Sequence, residues 1–530
     1  MDTTVRPARA KMRFKPSFGL VLSLGLFYAA YLIIRYRGLW TENDTAIFTH
    51  DAILTARDHT IIFPTQYPHG FGYQLWLAIM QLTTHLPAGF INTTILPFLG
   101  VTFVFVMALV TYVELTEHIA LSELSVLLMV MVPNIMFTLL RGNHEKLTIV
   151  LILAGAWALV RFLKSATLTD RFTWEVIFYM CMTLNVIVND YFTIMIIWGL
   201  VAYLISGSLF AWRTGFPKAA ALTPVFRLII ISLVIIVVDV WLVFPPARSD
   251  AHLLLLTLQK LRVLFLTQKA SSNPLSAPAE QWVSVPVYLT TSAFRWITIT
   301  ASFLAWVLMI WVPFRRRTPL SLPWLVMLSF YAAIAALVFV AVPVDLTGLA
   351  AGNNLEVRNF TYFALFAVPF VALGISRIVP SLYRQNHLAK TLNLLAIVFM
   401  GLFLTMSILE TTLDPAISNQ WLFYSSAEKQ AVLFYLRHRQ GPQYLWAGPD
   451  ERLRNVAATW WPKNDPWYVS GGGIPSLPRY SLWLWSPNIV ADAIELKDPL
   501  PDFNRQNLVY SNGQAKIFSA IPRSPFEVTP

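Results

Sequence analysis

The chain runs to 530 residues and is 56% hydrophobic but only 13% charged, with 39 lysines and arginines against 28 acids, a net charge of +11. Soluble domains stay near about 45–50% apolar; here the excess falls in blocks of about twenty residues, the length that crosses a hydrocarbon core as a helix. That excludes an ordinary soluble enzyme. It also sets aside nucleic acid as the reason for the charge, because the basic residues lie mostly between apolar blocks, where orientation signals belong.

A basic run (Arg6, Arg9, Lys11, Arg13, Lys15) precedes the apolar stretch Phe18–Ile34. No small-residue cleavage site follows, so this reads as a retained first helix and not as a removed leader. In chain order about eleven spans are expected, at roughly 18–36, 95–114, 121–140, 147–163, 173–188, 191–211, 226–244, 294–313, 321–343, 359–376 and 391–409. Cys181 lies in one of them and is the single cysteine, so no intrachain disulfide can form. Alternate connections carry the basic residues: the N-terminal run, Arg161/Lys164/Arg171, Arg213/Lys218, Arg315-Arg316-Arg317 and Arg377/Arg384/Lys390. By the positive-inside rule that side is cytoplasmic. The N-terminus is then inside and, with an odd number of spans, the C-terminus outside.

The long connections fall on the other face. They are 37–94 and 245–293, with shorter ones at Arg141–Lys146, Asn189–Asp190 and Val344–Arg358. Ala46–Ala56 can form a short amphipathic helix. Phe71–Leu86 and His252–Leu266 are apolar but too short or too basic to span, and read as interfacial helices. After Glu410 the composition changes. Ser425–Arg439 has a capping serine and a helical apolar face. Tyr444–Ala447 reads as a strand, Gly471-Gly472-Gly473 as a loop, and Leu508–Ser519 as two strands about the Asn512-Gly513 turn. The expected fold is thus an all-α polytopic membrane protein, residues 1–410, followed by a small extracytoplasmic α/β domain, residues 411–530.

The first outer loop holds Glu42, Asp44, Asp51 and Asp58, four carboxylates within seventeen residues, with His50, His59 and His69 interleaved. Acids can simply mark a wet loop, but a membrane bundle needs no such cluster to fold. Arg141-Gly142-Asn143-His144-Glu145-Lys146 brings a second polar set to the same face, Asn189-Asp190 a third and Arg358 a fourth. Polar side chains at such depth face an aqueous cavity or a partner, because exposing them to lipid is costly. Acids and bases converging from separate loops suit attack on a phosphate-linked lipid: a carboxylate takes the proton from an acceptor hydroxyl, and cations hold the departing phosphate. No Walker loop, GxSxG, HExxH or GxGxxG is present, so nucleotide chemistry has no support.

Asn43-Asp44-Thr45-Ala46, the amphipathic stretch behind it and Tyr67-Pro68-His69-Gly70-Phe71-Gly72-Tyr73-Gln74 resemble the first outer loop of bacterial GT-C-fold glycosyltransferases, the protein mannosyltransferase-like and aminoarabinose transferase-like superfamily. The layout of spans, long first loop and C-terminal outer domain is similar over nearly the whole chain; the motif likeness covers about thirty residues. The resemblance implies an inverting transfer from a polyprenyl-phosphate-linked sugar to a lipid, glycan or protein acceptor, at the outer face of the inner (plasma) membrane. It implies Asp44 as catalytic base, with Glu42 and Asp51 as second choices. Arg358, Lys146, Arg141 and His69 would hold the donor phosphate, and Glu145 or Asp190 would orient the acceptor or a metal. The family's adjacent acid pair is absent, Glu42-x-Asp44 being nearest, so a divalent metal (Mg or Mn) is left open. Two other classes are weighed beside it. A transporter or flippase for a lipid-linked saccharide would need polar residues along a path through the spans, and Asp239 is the main such residue. A non-catalytic envelope-assembly protein would not need the carboxylate cluster.

Overall fold

The computed structural model describes residues 17–41, 43–61, 69–215, 219–267, 285–345, 355–382, 398–409, 411, 422–441, 443–450, 452–461, 468–471, 481–496 and 499–522. Glu42, Tyr67, Pro68, the basic N-terminal run, Gly472-Gly473 and the first part of the 391–409 span lie outside them.

Helix α1 (Phe18–Tyr36) opens on a Ser17 side-chain cap and closes at Arg37, whose φ of 53° turns the chain out of the helix. The two-residue strand β1 (Trp40–Thr41) follows, then α2 (Asn43–Asp58) and α3 (Gly72–Thr84). The amphipathic helix expected at Ala46–Ala56 is therefore present and extends three residues earlier, which places Asp44 in its first turn. α4 (Ala88–Thr116) is continuous but winds as a π-helix at Ile91–Ile95. The expected third span is two helices, α5 (Ile119–Val130) and α6 (Pro133–Leu140), bent by 77° at Met131-Val132. Pro133 lacks the N–H that would continue the ladder. The Val130 carbonyl at the break accepts the Tyr28 hydroxyl at 3.2 Å and the Ser407 hydroxyl at 3.3 Å, which keeps it satisfied away from water. The pair still crosses the bundle. It starts beside the end of α4, where Thr116 and Ser122 hydroxyls bond at 3.1 Å. It ends at the start of α4, where the Asn92 amide donates to the Gly142 carbonyl at 3.1 Å.

Next come α7 (Glu145–Lys164), α8 (Leu168–Val188), α9 (Asp190–Thr214), α10 (Ala219–Val238, running into a π-turn at Asp239–Val243), α11 (Arg248–Thr267), α12 (Val285–Arg316), α13 (Leu322–Asp345), α14 (Leu355–Leu382) and α15 (Val398–Leu409). Among the described residues nine helices are long and apolar enough to cross a membrane, ten with the bent pair, against about eleven expected. The last expected span shows only as α15. α14 is the central helix: 83% of its apolar window is buried, against 22% for α12 at the rim. The molecule is a multi-pass membrane protein.

The C-terminal lobe has its own apolar core, with Tyr435, Leu445, Leu453, Val456, Trp483 and Ile517 in it. Strand β2 (Leu422–Phe423) pairs with β1, Trp40 opposite Phe423, and so ties the lobe to the first loop. α16 (Ser426–His438) carries a complete capping box between Ser425 and Glu428. β3 (Leu445–Trp446), α17 (Arg452–Trp460), β4 (Val469–Ser470), β5 (Leu482–Trp485), α18 (Pro487–Leu496), β6 (Gln506–Ser511) and β7 (Lys516–Pro522) complete the lobe. The sheet order is β4-β3-β5-β7-β6; the expected β6–β7 hairpin is present and antiparallel, whereas β3 runs parallel to β4 and β5.

One buried cation braces this lobe. The Arg452 Nε donates to both Asp450 oxygens at 2.8 Å, and its guanidinium also pairs with Asp492. Burial pushes the Asp492 carboxyl up to about 6, with the Asp450 and Glu428 charges adding to the rise and Arg452 opposing it. Between the ordinary carboxylate range and pH 6 the folded lobe therefore binds more protons than the unfolded chain, and stability falls as pH rises through that window. Asp492→Asn is expected to flatten the melting temperature between pH 4 and pH 7 relative to wild type, followed by tryptophan fluorescence. Parallel profiles for the two proteins would count against the assignment.

Candidate functional site

The bend in the third span delivers Arg141 to the face where the first loop begins. α6 ends at Leu140, and the Arg141 guanidinium reaches two carboxylates: Glu145 Oε1 at 2.5 Å from Nη2 and Asp44 Oδ2 at 3.9 Å from Nη1. Its side chain is 4% exposed, those of Glu145 and Asp44 5% and 16%. Both acids stand in the first turn of a helix, α7 and α2, where the helix dipole favours negative charge. Glu145 is fixed further by the Asn143 side chain, whose oxygen accepts the Glu145 backbone N–H at 3.2 Å. Asp44 is the most open of the three.

Asn92 holds these elements in register. Its amide donates to the Thr49 hydroxyl at 3.1 Å and to the Gly142 carbonyl at 3.1 Å, while its oxygen accepts the Tyr73 hydroxyl at 2.5 Å. The Gly142 N–H in turn donates to the Thr45 hydroxyl at 3.1 Å. α2, α3, the turn after α6 and the π-turn of α4 are thus bonded to one side chain. A π-turn displaces the side chains it carries from ordinary helical positions, and such turns recur at functional sites.

His144 lies behind the acids. The Asn189 amide donates to its Nε2 at 2.5 Å, and the Asn189 oxygen caps α9 by accepting the Phe192 N–H at 3.0 Å. Burial lowers the His144 pKa well below the usual histidine range; Asp44 opposes this, while His69, Arg141 and Arg358 reinforce it. The ring is neutral at pH 7, which suits Nε2 as an acceptor. Asp44, His69, Arg141 and Arg358 are thus the charged or titratable groups whose field reaches this ring. His69 is set there by its backbone, whose carbonyl accepts the Asp190 N–H at 2.9 Å. Lys146 is 1% exposed, and its Cδ lies 3.0 Å from where a Cβ on Gly100 would stand, so the glycine makes room for the buried stem.

The structure therefore gathers Asp44, Arg141 and Glu145 in direct ion-pair contact, with His69 and Arg358 close enough to act on the same histidine, and Asp190 and Lys146 on the adjoining helix starts. Glu42 lies outside the described residues. Asp51 is not part of the cluster: it sits two turns along α2, about 10 Å by helix rise, paired with His50 at 3.2 Å. Asp58 forms an exposed ion pair with Arg57 at 2.6 Å. Not foreseen in the sequence were the anchoring role of Asn92, its bond to Tyr73 and the pairing of His144 with Asn189. Asn92-Thr93-Thr94 matches a glycosylation sequon and carries no expectation as such; the usable signal is three polar residues opening an apolar span. Among the described residues no three of His, Cys, Asp and Glu stand together as metal ligands. The two described acids that meet, Asp44 and Glu145, do so on the Arg141 guanidinium; Glu42, the acid nearest to Asp44 in sequence, lies outside the described residues.

No family model matches the chain, and no curated protein matches it. Solved structures do. Oligosaccharyltransferase AglB of Archaeoglobus fulgidus, in complex with an inhibitory peptide and a dolichol-phosphate, superposes with a TM-score of 0.53 at 11% identity, over 86% of this chain and 64% of that one. The same enzyme tethered to an acceptor peptide containing the NVT sequon gives 0.52 at 13%, over 83% and 63%. ArnT of Cupriavidus metallidurans bound to undecaprenyl phosphate aligns over 96% and 99% at 12% identity, with a TM-score of 0.42. The chain spans less than two thirds of AglB. Its fold is GT-C, as the first-loop resemblance implies.

Proposed function

We propose that this protein is an inverting membrane glycosyltransferase that moves a sugar from a polyprenyl-phosphate donor to an acceptor hydroxyl. The observation that carries the reading is the Asp44–Arg141–Glu145 contact, which joins the first turn of α2 to the Arg141–Glu145 turn about a hundred residues later at one face of a GT-C bundle. The complex of AglB with dolichol-phosphate supports a lipid-phosphate ligand for this fold.

Asp44, the most open acid, takes the proton from the acceptor hydroxyl. The acceptor oxygen forms its bond to the sugar C1 as the C1–O bond to phosphate breaks, and the electron pair leaves with the polyprenyl phosphate. Arg358 and Lys146 hold that phosphate as its charge grows. Arg141 orients Asp44 from behind and Glu145 keeps Arg141 in place. His144, neutral, adds no charge to the site. The basic connections put the opposite face in the cytoplasm, so the site faces outward, in the inner membrane.

The test reconstitutes the purified protein in vesicles holding decaprenyl phosphate linked to a labelled hexose, with host membrane extract as acceptor. Label is expected to leave the lipid fraction as free decaprenyl phosphate accumulates. Movement of intact lipid between leaflets without cleavage would establish a flippase and overturn the reading.

A further inference from the structure

α17 is the element through which the C-terminal lobe meets the first loop. Its first turn is fixed by Arg452, whose Nη1 donates to the Phe423 carbonyl at 3.1 Å, and Phe423 pairs with Trp40 just ahead of α2. Its last turn is fixed as well. Ala458 packs with Phe48, Ala52, Ala88 and Ile91, and a Cβ on Gly89 would stand 2.6 Å from the Thr459 Cα. α17 therefore lies along α2 with their first turns side by side. At about 100° per residue, Leu453, Val456 and Ala457 point into the lobe's own core, where they are found. Asn455 points the other way, between the directions of Ala458 and Thr459, toward α2 at the level of its opening turns.

Asn455 is 1% exposed, and neither its Nδ2 nor its Oδ1 has a hydrogen-bond partner among the described residues. A buried amide left unsatisfied costs about 1–3 kcal/mol per group, and such groups in native structures require an explanation. A neutral amide presents a donor and an acceptor side by side. A phosphate would leave its oxygen unpaired, and a cation would leave its nitrogen unpaired. A pair of neighbouring sugar hydroxyls satisfies both.

We infer that Asn455 holds hydroxyls of the donor sugar, so that the C-terminal lobe completes the reaction centre. This rests on the transfer reaction proposed above. An inverting displacement sets C1 between the leaving phosphate and the acceptor oxygen, so with the phosphate on the Lys146/Arg358 side and the base at Asp44 the sugar lies between them, alongside the opening turns of α2 that α17 covers.

The test uses the full-length protein in vesicles and a panel of decaprenyl phosphates carrying mannose, glucose or galactose, with bare decaprenyl phosphate as reference. Asn455→Leu removes both hydrogen-bonding atoms at similar size, and Asn455→Ala covers the case in which leucine overpacks. Asn455→Leu is expected to melt above the wild type, because the unsatisfied amide is gone, and Asn455→Ala at or near the wild-type temperature. Affinity for bare decaprenyl phosphate is expected to stay unchanged, while affinity for the preferred hexose lipid falls about tenfold, toward the bare value. Unchanged hexose-lipid affinity in both variants overturns the inference, and transfer lost with both lipid affinities intact assigns the amide to the acceptor instead. A wild type that never cleaves the hexose lipid would be a failure of the transfer reading itself, separate from this one.

Discussion

Asp44→Asn is expected to lower sugar transfer by about a thousandfold while the protein inserts, folds and binds polyprenyl phosphate as wild type does. A general base contributes about 10²–10⁴ in rate, and asparagine keeps the size of the side chain while removing its capacity to take a proton. The fold is expected to survive because Arg141 remains neutralised. Its shorter contact is to Glu145 at 2.5 Å, and the Asp44 contact is 3.9 Å. The comparison that gives this result meaning is Asp51→Asn. Asp51 is also buried and acidic but is paired with His50 away from Arg141, so its replacement is expected to change transfer less than tenfold. Initial rates of label transfer and equilibrium binding of decaprenyl phosphate, measured on both variants, decide the matter. Full activity in Asp44→Asn would remove Asp44 from the mechanism, and a larger loss in Asp51→Asn would move the base two turns along α2.

Much of this arrangement was legible in the chain because it rests on local rules. Twenty-residue apolar blocks, the amphipathic first-loop helix, the Ser425/Glu428 capping box and the Asn512-Gly513 turn each depend on residues a few positions apart, and each is present. The break at Pro133 was not legible, since apolar composition continues across it while the helix axis turns by 77°. Nor were β1 and β2: two-residue strands have no periodicity, and their partners lie more than 380 residues apart. The site suffers from the same limit. Asp44 and Arg141 are brought together by an intervening helix pair, and Asn92 acts through a π-turn that no spacing rule marks. α17 was hidden for a different reason. Its polar residues Arg452, Arg454 and Asn455 are buried along with its apolar ones, so the face that its pattern assigns to solvent is covered.

Arg141→Gln is expected to cost both folding and transfer, and a second substitution separates the two. The guanidinium is buried between two carboxylates that would otherwise face each other without a cation. Removing one member of a buried charge set while the others stay costs about 3–5 kcal/mol, which a marginally stable protein registers as a clear drop in melting temperature. Arg141→Lys is expected to recover part of the loss. A lysine carries the charge, but its single nitrogen cannot reach both acids, which the two ends of the guanidinium contact separately. Arg141→Gln combined with Glu145→Gln removes both members of the tighter pair, so the melting temperature is expected to return close to wild type. Transfer is not expected to return with it and should remain at least about a hundredfold down, because Asp44 has lost the group that orients it. Recovery of stability without recovery of rate places Arg141 in the reaction centre as a positioning residue. Recovery of both in the double variant would reduce it to a counter-ion for Glu145, and the contact with Asp44 would then have no part in the chemistry.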